Sequence, residues 1–113
     1  MIDLLSKVKI LDNSGGLEGR CLKVLKAGLS PGVVGDVIVI SVIKISSGSL
    51  IQKGDVHKAL IVRAKRDGSH RWADNAVILI KGMDLSPVGT RIKGPISARI
   101  VQPKLRSMAR LNV

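Results

Sequence analysis

Aromatic residues are nearly missing from this chain, which has no Phe, no Tyr and one Trp in 113 residues. Proteins that hold single-stranded nucleic acid by stacking its bases need an aromatic platform. That mode is therefore excluded as the main one, and contact through phosphates and shape is left. Cysteine is as scarce: Cys21 stands alone, which excludes an internal disulfide framework and a cysteine-rich zinc site. A lone thiol also fits a reducing compartment. The two histidines, His57 and His70, have no second ligand at metal-binding spacing, so no metal and no cofactor is expected. The chain carries no GxSxG elbow, no P-loop and no dinucleotide fingerprint.

Long apolar runs are missing too. The longest, residues 37–43, is broken by Ser41 and falls far short of the roughly 20 residues that span a bilayer. The first ten residues, MIDLLSKVKI, have no apolar h-region and no small-residue cleavage site, so a secretory signal is not expected. The reading is a soluble chain with no membrane partner. Carboxylates are few, and Asp12, Asp36, Asp55, Asp67 and Asp74 each adjoin Gly or Asn. Side chains in that setting usually bond nearby backbone amides in turns. An acid–base pair would need a pocket, and none is visible in the pattern. The chain does not read as an enzyme.

What is present is apolar and basic. Hydrophobic residues make up 45% and charged ones 24%, the balance of a globular domain. The length predicts one domain over residues 1–113, a barrel over about 1–96 and a C-terminal part over about 97–113. Nineteen Lys and Arg against 8 Asp and Glu leave a net charge of +11. Such a surplus points first to a phosphate-bearing partner, because each neutralised phosphate releases counterion. An anionic membrane surface is the competing explanation.

Five strands are predicted. Residues 4–11 alternate imperfectly, with Leu4, Ser6, Val8 and Ile10 on one face and Lys7 and Lys9 on the other. DNSGG, residues 12–16, is a turn cluster. Residues 20–25 (RCLKVL) form a second strand, with Cys21 and Lys23 expected on one face. Residues 36–45 (DVIVISVIKI) are the clearest strand, rich in β-branched side chains and apolar on both faces. Its outward face would need cover from another segment or a partner. Residues 57–66 supply the fourth strand and residues 76–80 (AVILI) the fifth.

Gly35-Asp36-Val37 and Gly54-Asp55-Val56 echo each other as two similar ways into a strand. Trp72, in the basic loop 69–75, is expected to close its hairpin against the core, with stacking on a base or a ribose as the alternative. Beyond residue 97 a short helix is expected, with Pro103 at a first helical position and Leu105, Met108 and Ala109 at helical spacing. Short strands with Gly-rich turns and little helix predict a mainly β fold. It would be a small five-stranded β-barrel with a loop-rich C-terminal part carrying one or two short helices.

The basic residues carry the functional reading. They gather at turns and strand ends: Lys53 with Lys58, Arg63 with Lys65 and Arg66, Arg91 with Lys93. Arg20, Lys44, Arg71 and Arg99 add to them. Arginines such as Arg63, Arg66, Arg91 and Arg99 can fork two phosphate oxygens. Asn13 and Ser14 can hydrogen-bond an RNA backbone from an irregular loop. These residues form the expected RNA-binding set. Scattered basic residues often make only a solvated face; the size of the surplus and its placement favour nucleic acid.

Several short motifs occur in one order. They are Asp12-Asn13-Ser14-Gly15, Val34-Gly35-Asp36, KGDVHKALIVR (residues 53–63), Asp67-Gly68 with Asn75 ahead of AVILI, and Pro87-Val88-Gly89-Thr90-Arg91-Ile92 with Gly94-Pro95. In this order and context the chain resembles the universal large-subunit ribosomal protein number fourteen family over nearly its whole length. The resemblance implies a structural constituent of the large ribosomal subunit, bound to large-subunit rRNA at the face that meets the small subunit. It implies a bridge to small-subunit rRNA, a neighbouring large-subunit protein, and a docking surface for a ribosome-silencing or anti-association factor.

The chain departs from the family pattern in three places. The segment between Arg63 and Asn75 is shorter than the usual bacterial form. Trp72 stands near where Phe is common, and the tail after Ile100 matches loosely. These features look organellar and favour a mitochondrial ribosome over a bacterial or chloroplast one. The alternative to a ribosomal role is a free-standing basic β-barrel that binds nucleic acid as an RNA chaperone or regulator.

Overall fold

The run VIVISVIKI forms β3 (Val37–Ile45), and the barrel is assembled around it. β-Branched side chains lose little freedom on a pleated surface and pack well across strands. The structure is a computed structural model, and it describes residues 2, 5–25, 32–49, 51–65, 74–81, 87–88 and 92. Around β3 lie β1 (Lys7–Ile10), β2 (Gly16–Val24), β4 (Val56–Arg63) and β5 (Ala76–Ile80). Neighbours pair in sequence order, all antiparallel, and the sheet closes through a parallel β1–β5 seam. The expected five-stranded barrel is observed. The C-terminal helix expected beyond residue 97 and the role of Trp72 lie outside the described residues.

Register decides which side chains fill the barrel. Val8 opposes Gly19, and Gly19 opposes Val42. Cys21 opposes Ile40, and Ile38 opposes Ala59, which opposes Leu79. All of these are buried, and all but Gly19 belong to one hydrophobic core with Ile10, Ile61 and Val77. Side chains one residue away point outward. Gly19 is part of the packing, since a Cβ there would come within 2.8 Å of Ile40 Cδ1.

The seam is short, with Lys9 opposite Ala76 and Ile10 opposite Val77. Leu11 N donates to Val77 O at 3.0 Å. One step further the backbone turns away, and the Asp12 carboxylate continues the ladder. Its Oδ2 accepts from Leu79 N at 3.1 Å, and its Oδ1 accepts from Ser14 Oγ at 2.6 Å and Ser14 N at 3.2 Å. Asp12 is fully buried, and three donors compensate its lost hydration. It is the turn residue that the sequence pattern predicts, with the added task of fastening the seam.

The echo of Gly-Asp-Val is real geometry. Gly35 and Gly54 have φ of 93° and 88°. Asp36 Oδ2 accepts from Val33 N and Asp55 Oδ2 from Gln52 N, each at 3.0 Å. Asp36 N donates to Val33 O at 3.0 Å and Asp55 N to Gln52 O at 3.2 Å. The same four-residue turn launches β3 and β4.

Three strand expectations need correction. The first strand does not run over residues 4–11 but begins at Lys7. Leu5 sits at φ 64°, a left-handed backbone that interrupts extension. The second strand starts at Gly16, four residues before Arg20. Glycines and Glu18 hide it from propensity, while register shifts at Gly16/Glu18, Glu18/Gly19 and Cys21/Lys23 break its alternation. The last of these shifts turns Lys23 outward while Cys21 stays inside, so the two do not share a face. The fourth strand ends at Arg63, three residues early.

Candidate nucleic-acid interface

The barrel's outer surface has two unlike sides. On the β4–β5 side the apolar outward residues are covered: Leu60 opposes Ile78, and Leu60, Ile78 and Ile80 are at most 2% exposed, while Lys58, opposite Ile80 at the edge of this side, stays exposed. Part of the cover is residues 87–88, with Pro87 bridged to Ile80 and Val88 N donating to Leu79 O at 3.0 Å. On the β1–β2–β3 side the outward residues stay accessible. There Val39, Ser41 and Ile43 of β3 are half-buried, and Leu22 is 42% exposed.

Register arranges this open side in rows. Lys7 of β1 opposes Arg20 of β2, which opposes Ser41 of β3. Ser41 opposes Val56 of β4, which is 60% exposed. On one side of that row Lys9 opposes Glu18, which opposes Lys44. On the other, Lys23 opposes Val39, which opposes Lys58. Strands stand about 4.8 Å apart, so each row is a short line of side chains across the sheet.

The rows differ in how far their charge is balanced. Lys44 Nζ lies 3.8 Å from Glu18 Oε2, and Lys9 Nζ lies 3.1 Å from Asp74 Oδ2. Ion pairs this exposed contribute about 1 kcal/mol or less, but they do cancel local charge. Lys7, Arg20, Lys23 and Lys58 have no carboxylate partner among the described residues. Lys7 and Arg20 are like charges directly opposite each other, a pairing that destabilises a sheet. A polyanion would reverse the sign of that term.

The expected RNA-binding residues are spread unevenly over this geometry. Arg20, Lys44 and Lys58 come together on the open side. Lys53 is exposed in the turn before β4. Arg63 sits apart, half-buried at the end of β4, with Nη2 3.2 Å from Asp74 Oδ1. Lys65 is exposed in the turn that follows, and its N donates to Asn75 Oδ1 at 2.8 Å. Asn13 is exposed. Ser14 is 1% exposed, and its hydroxyl donates to Asp12, so its side chain holds the turn. Arg66, Arg71, Arg91, Lys93 and Arg99 lie outside the described residues.

The open side also contains Lys7, Lys9 and Lys23, which the reading by turns and strand ends passes over. The signal was the alternation KVKI, in which two lysines share the face away from Val8 and Ile10.

Among the described residues no three His, Cys, Asp or Glu side chains are placed to hold a metal ion. His57 Nε2 lies 3.8 Å from Asp55 Oδ2, and Cys21 is a buried thiol. In the region described, the strongest chemical feature is positive charge laid on a rigid sheet. Compared with known families, the chain matches over residues 1–113 a family described as ribosomal protein L14p/L23e.

Proposed function

The chain belongs to the ribosomal protein L14p/L23e family, and on that premise we propose how it sits in the ribosome. Membership makes it a structural, rRNA-binding constituent of the large subunit, placed beside neighbouring ribosomal proteins; the family is not one of catalysts. The proposal is that the open β1–β2–β3 side is its rRNA face. The observation that carries this is the set of cations Lys7, Arg20, Lys23 and Lys58, which have no carboxylate partner among the described residues and are fixed by strand register on the closed barrel. Phosphate contacts of this kind set orientation on folded RNA. Lys53, Lys65 and Asn13 extend the contact from the turns, with Lys44, Arg63, Arg66, Arg71, Arg91, Lys93 and Arg99 as further RNA-facing residues.

The barrel stands at the face of the large subunit that meets the small one. There it contributes to a bridge with small-subunit rRNA and offers a docking surface to a ribosome-silencing or anti-association factor. The motif order that the chain shares with the family supports this placement. Leu5 is 63% exposed, and its N–H donates to Cys21 O, which puts it beside the accessible Leu22. These aliphatic groups supply apolar area for a neighbouring protein. The ribosome is a mitochondrial one, as the short segment between Arg63 and Asn75 and the loosely matching tail suggest.

Sedimentation tests the assignment. The protein should travel with the large subunit through a high-salt wash and be found, on cell fractionation, with mitochondrial ribosomes. Release at moderate salt into a free pool would favour the free-standing RNA-binding alternative. Recovery with cytoplasmic or chloroplast ribosomes would overturn the location alone.

A further inference from the structure

We infer that Lys7, Arg20 and Ser41 form one phosphodiester-binding site on the outer face of the barrel. The inference rests on the open side being the rRNA face, and it names the place on that face where a backbone phosphate is held. Three strands contribute one side chain each in a single row, Lys7 opposite Arg20 and Arg20 opposite Ser41. Directly opposed residues have Cβ atoms about 5 Å apart, so the long Lys7 and Arg20 side chains can reach one phosphate lying over the row, with the Ser41 hydroxyl on its far side. All three are donors.

The next row makes the contrast. Lys9, Glu18 and Lys44 occupy the same strands, but a carboxylate stands between the two lysines, and Lys44 is 3.8 Å from it. That row has its own counter-charge. In the Lys7 row the central position is Arg20, and no carboxylate among the described residues pairs with either cation. The Arg20 Nε–H is also out of water with no acceptor among the described residues. A buried donor in that state costs stability, and the side chain gains by swinging toward an acceptor that arrives from outside. Among the described residues two unbalanced cations face each other, and one of them, Arg20, has a donor unmet. An incoming anion resolves both.

Position within the fold makes the site stiff. Cys21 and Ile40, the interior neighbours of Arg20 and Ser41, oppose each other and are fully buried. A rigid platform loses little side-chain and backbone freedom on binding. Arg20 supplies a planar fork and Lys7 a point charge, so Arg20→Lys keeps the charge and loses the fork.

The test uses the full chain and purified large-subunit rRNA, with binding measured over a series of salt concentrations. Lys7→Gln and Arg20→Gln are each expected to reduce the log–log salt slope by about one, with affinity falling roughly tenfold at low salt. Arg20→Lys should keep the slope and lose affinity. Lys81→Gln, at an exposed lysine just past β5, should leave the slope unchanged.

The free protein should respond in the opposite sense. Lys7→Gln removes a like-charge repulsion, and its melting temperature should rise by roughly 1–4 °C. That rise would set a loss of binding apart from a loss of folding. If wild-type protein shows no salt-dependent rRNA binding, the rRNA-face reading and the site fall together. If wild-type binds and neither Lys7→Gln nor Arg20→Gln changes the slope, the site falls and the reading stands. Dependence on Lys7 and Arg20 seen only with phosphatidylserine vesicles would overturn the site as an RNA contact.

Discussion

Leu60 and Leu22 are both outward-facing leucines on the same barrel, and they have opposite fates. Leu60 of β4 is 2% exposed under cover, while Leu22 of β2 is 42% exposed. Propensity and strand position do not separate them. The difference lies in what crosses over each side of the closed sheet. Where chain folds back, near Pro87 and Val88, the barrel is a two-sided core. Where no described segment does, the same sheet is a platform, and lysine, arginine and serine stand among its outward positions. On the function proposed above, the covered side serves stability and the open side a partner.

Substitutions can break that comparison, and the largest expected effect is on the covered side. Leu60→Ala should destabilise the protein by about 2–5 kcal/mol, the usual range for emptying a buried leucine site, as read by urea unfolding. A loss near that of a surface change would mean that the cover is absent in solution. Asp12→Ala comes next, at about 2–3 kcal/mol, because it strands the buried Leu79 N–H and frees the Ser14 turn. Its unfolding curve should shift in midpoint, and amide exchange should quicken first at the β1–β5 seam. Gly35→Ala should cost about 1 kcal/mol from backbone strain at φ 93°, because nothing lies within 4 Å of the new Cβ. Leu22→Ala closes the series at about 0.5 kcal/mol or less. A larger loss would show that Leu22 is covered in the free protein as well.

The covered side was the more legible of the two in sequence. AVILI and the centre of KGDVHKALIVR are unbroken apolar runs, and such runs announce strands buried on both faces. The platform was harder to read. Its main strand, β2, includes glycines and bulges that interrupt the period of two, so the expected turn takes in Gly16, the expected strand starts only at Arg20, and Lys23 is expected to share a face with Cys21. Its charges were visible one by one, but the Lys7–Arg20 row exists only through a register between strands, which composition does not carry. The Ser14 hydroxyl makes a related point. Nothing in the DNSGG pattern announces that the buried Asp12 carboxylate holds it.

Protein–RNA crosslinking on the intact large subunit tests the two-sided account most directly. The account predicts crosslinks from Lys7, Lys23 and Lys58, on strands β1, β2 and β4 of the open side, with fewer from Lys9 and Lys44. Crosslinks confined to residues off this platform, with Lys7, Lys23 and Lys58 freely reactive to solvent reagents in the same particles, would contradict it.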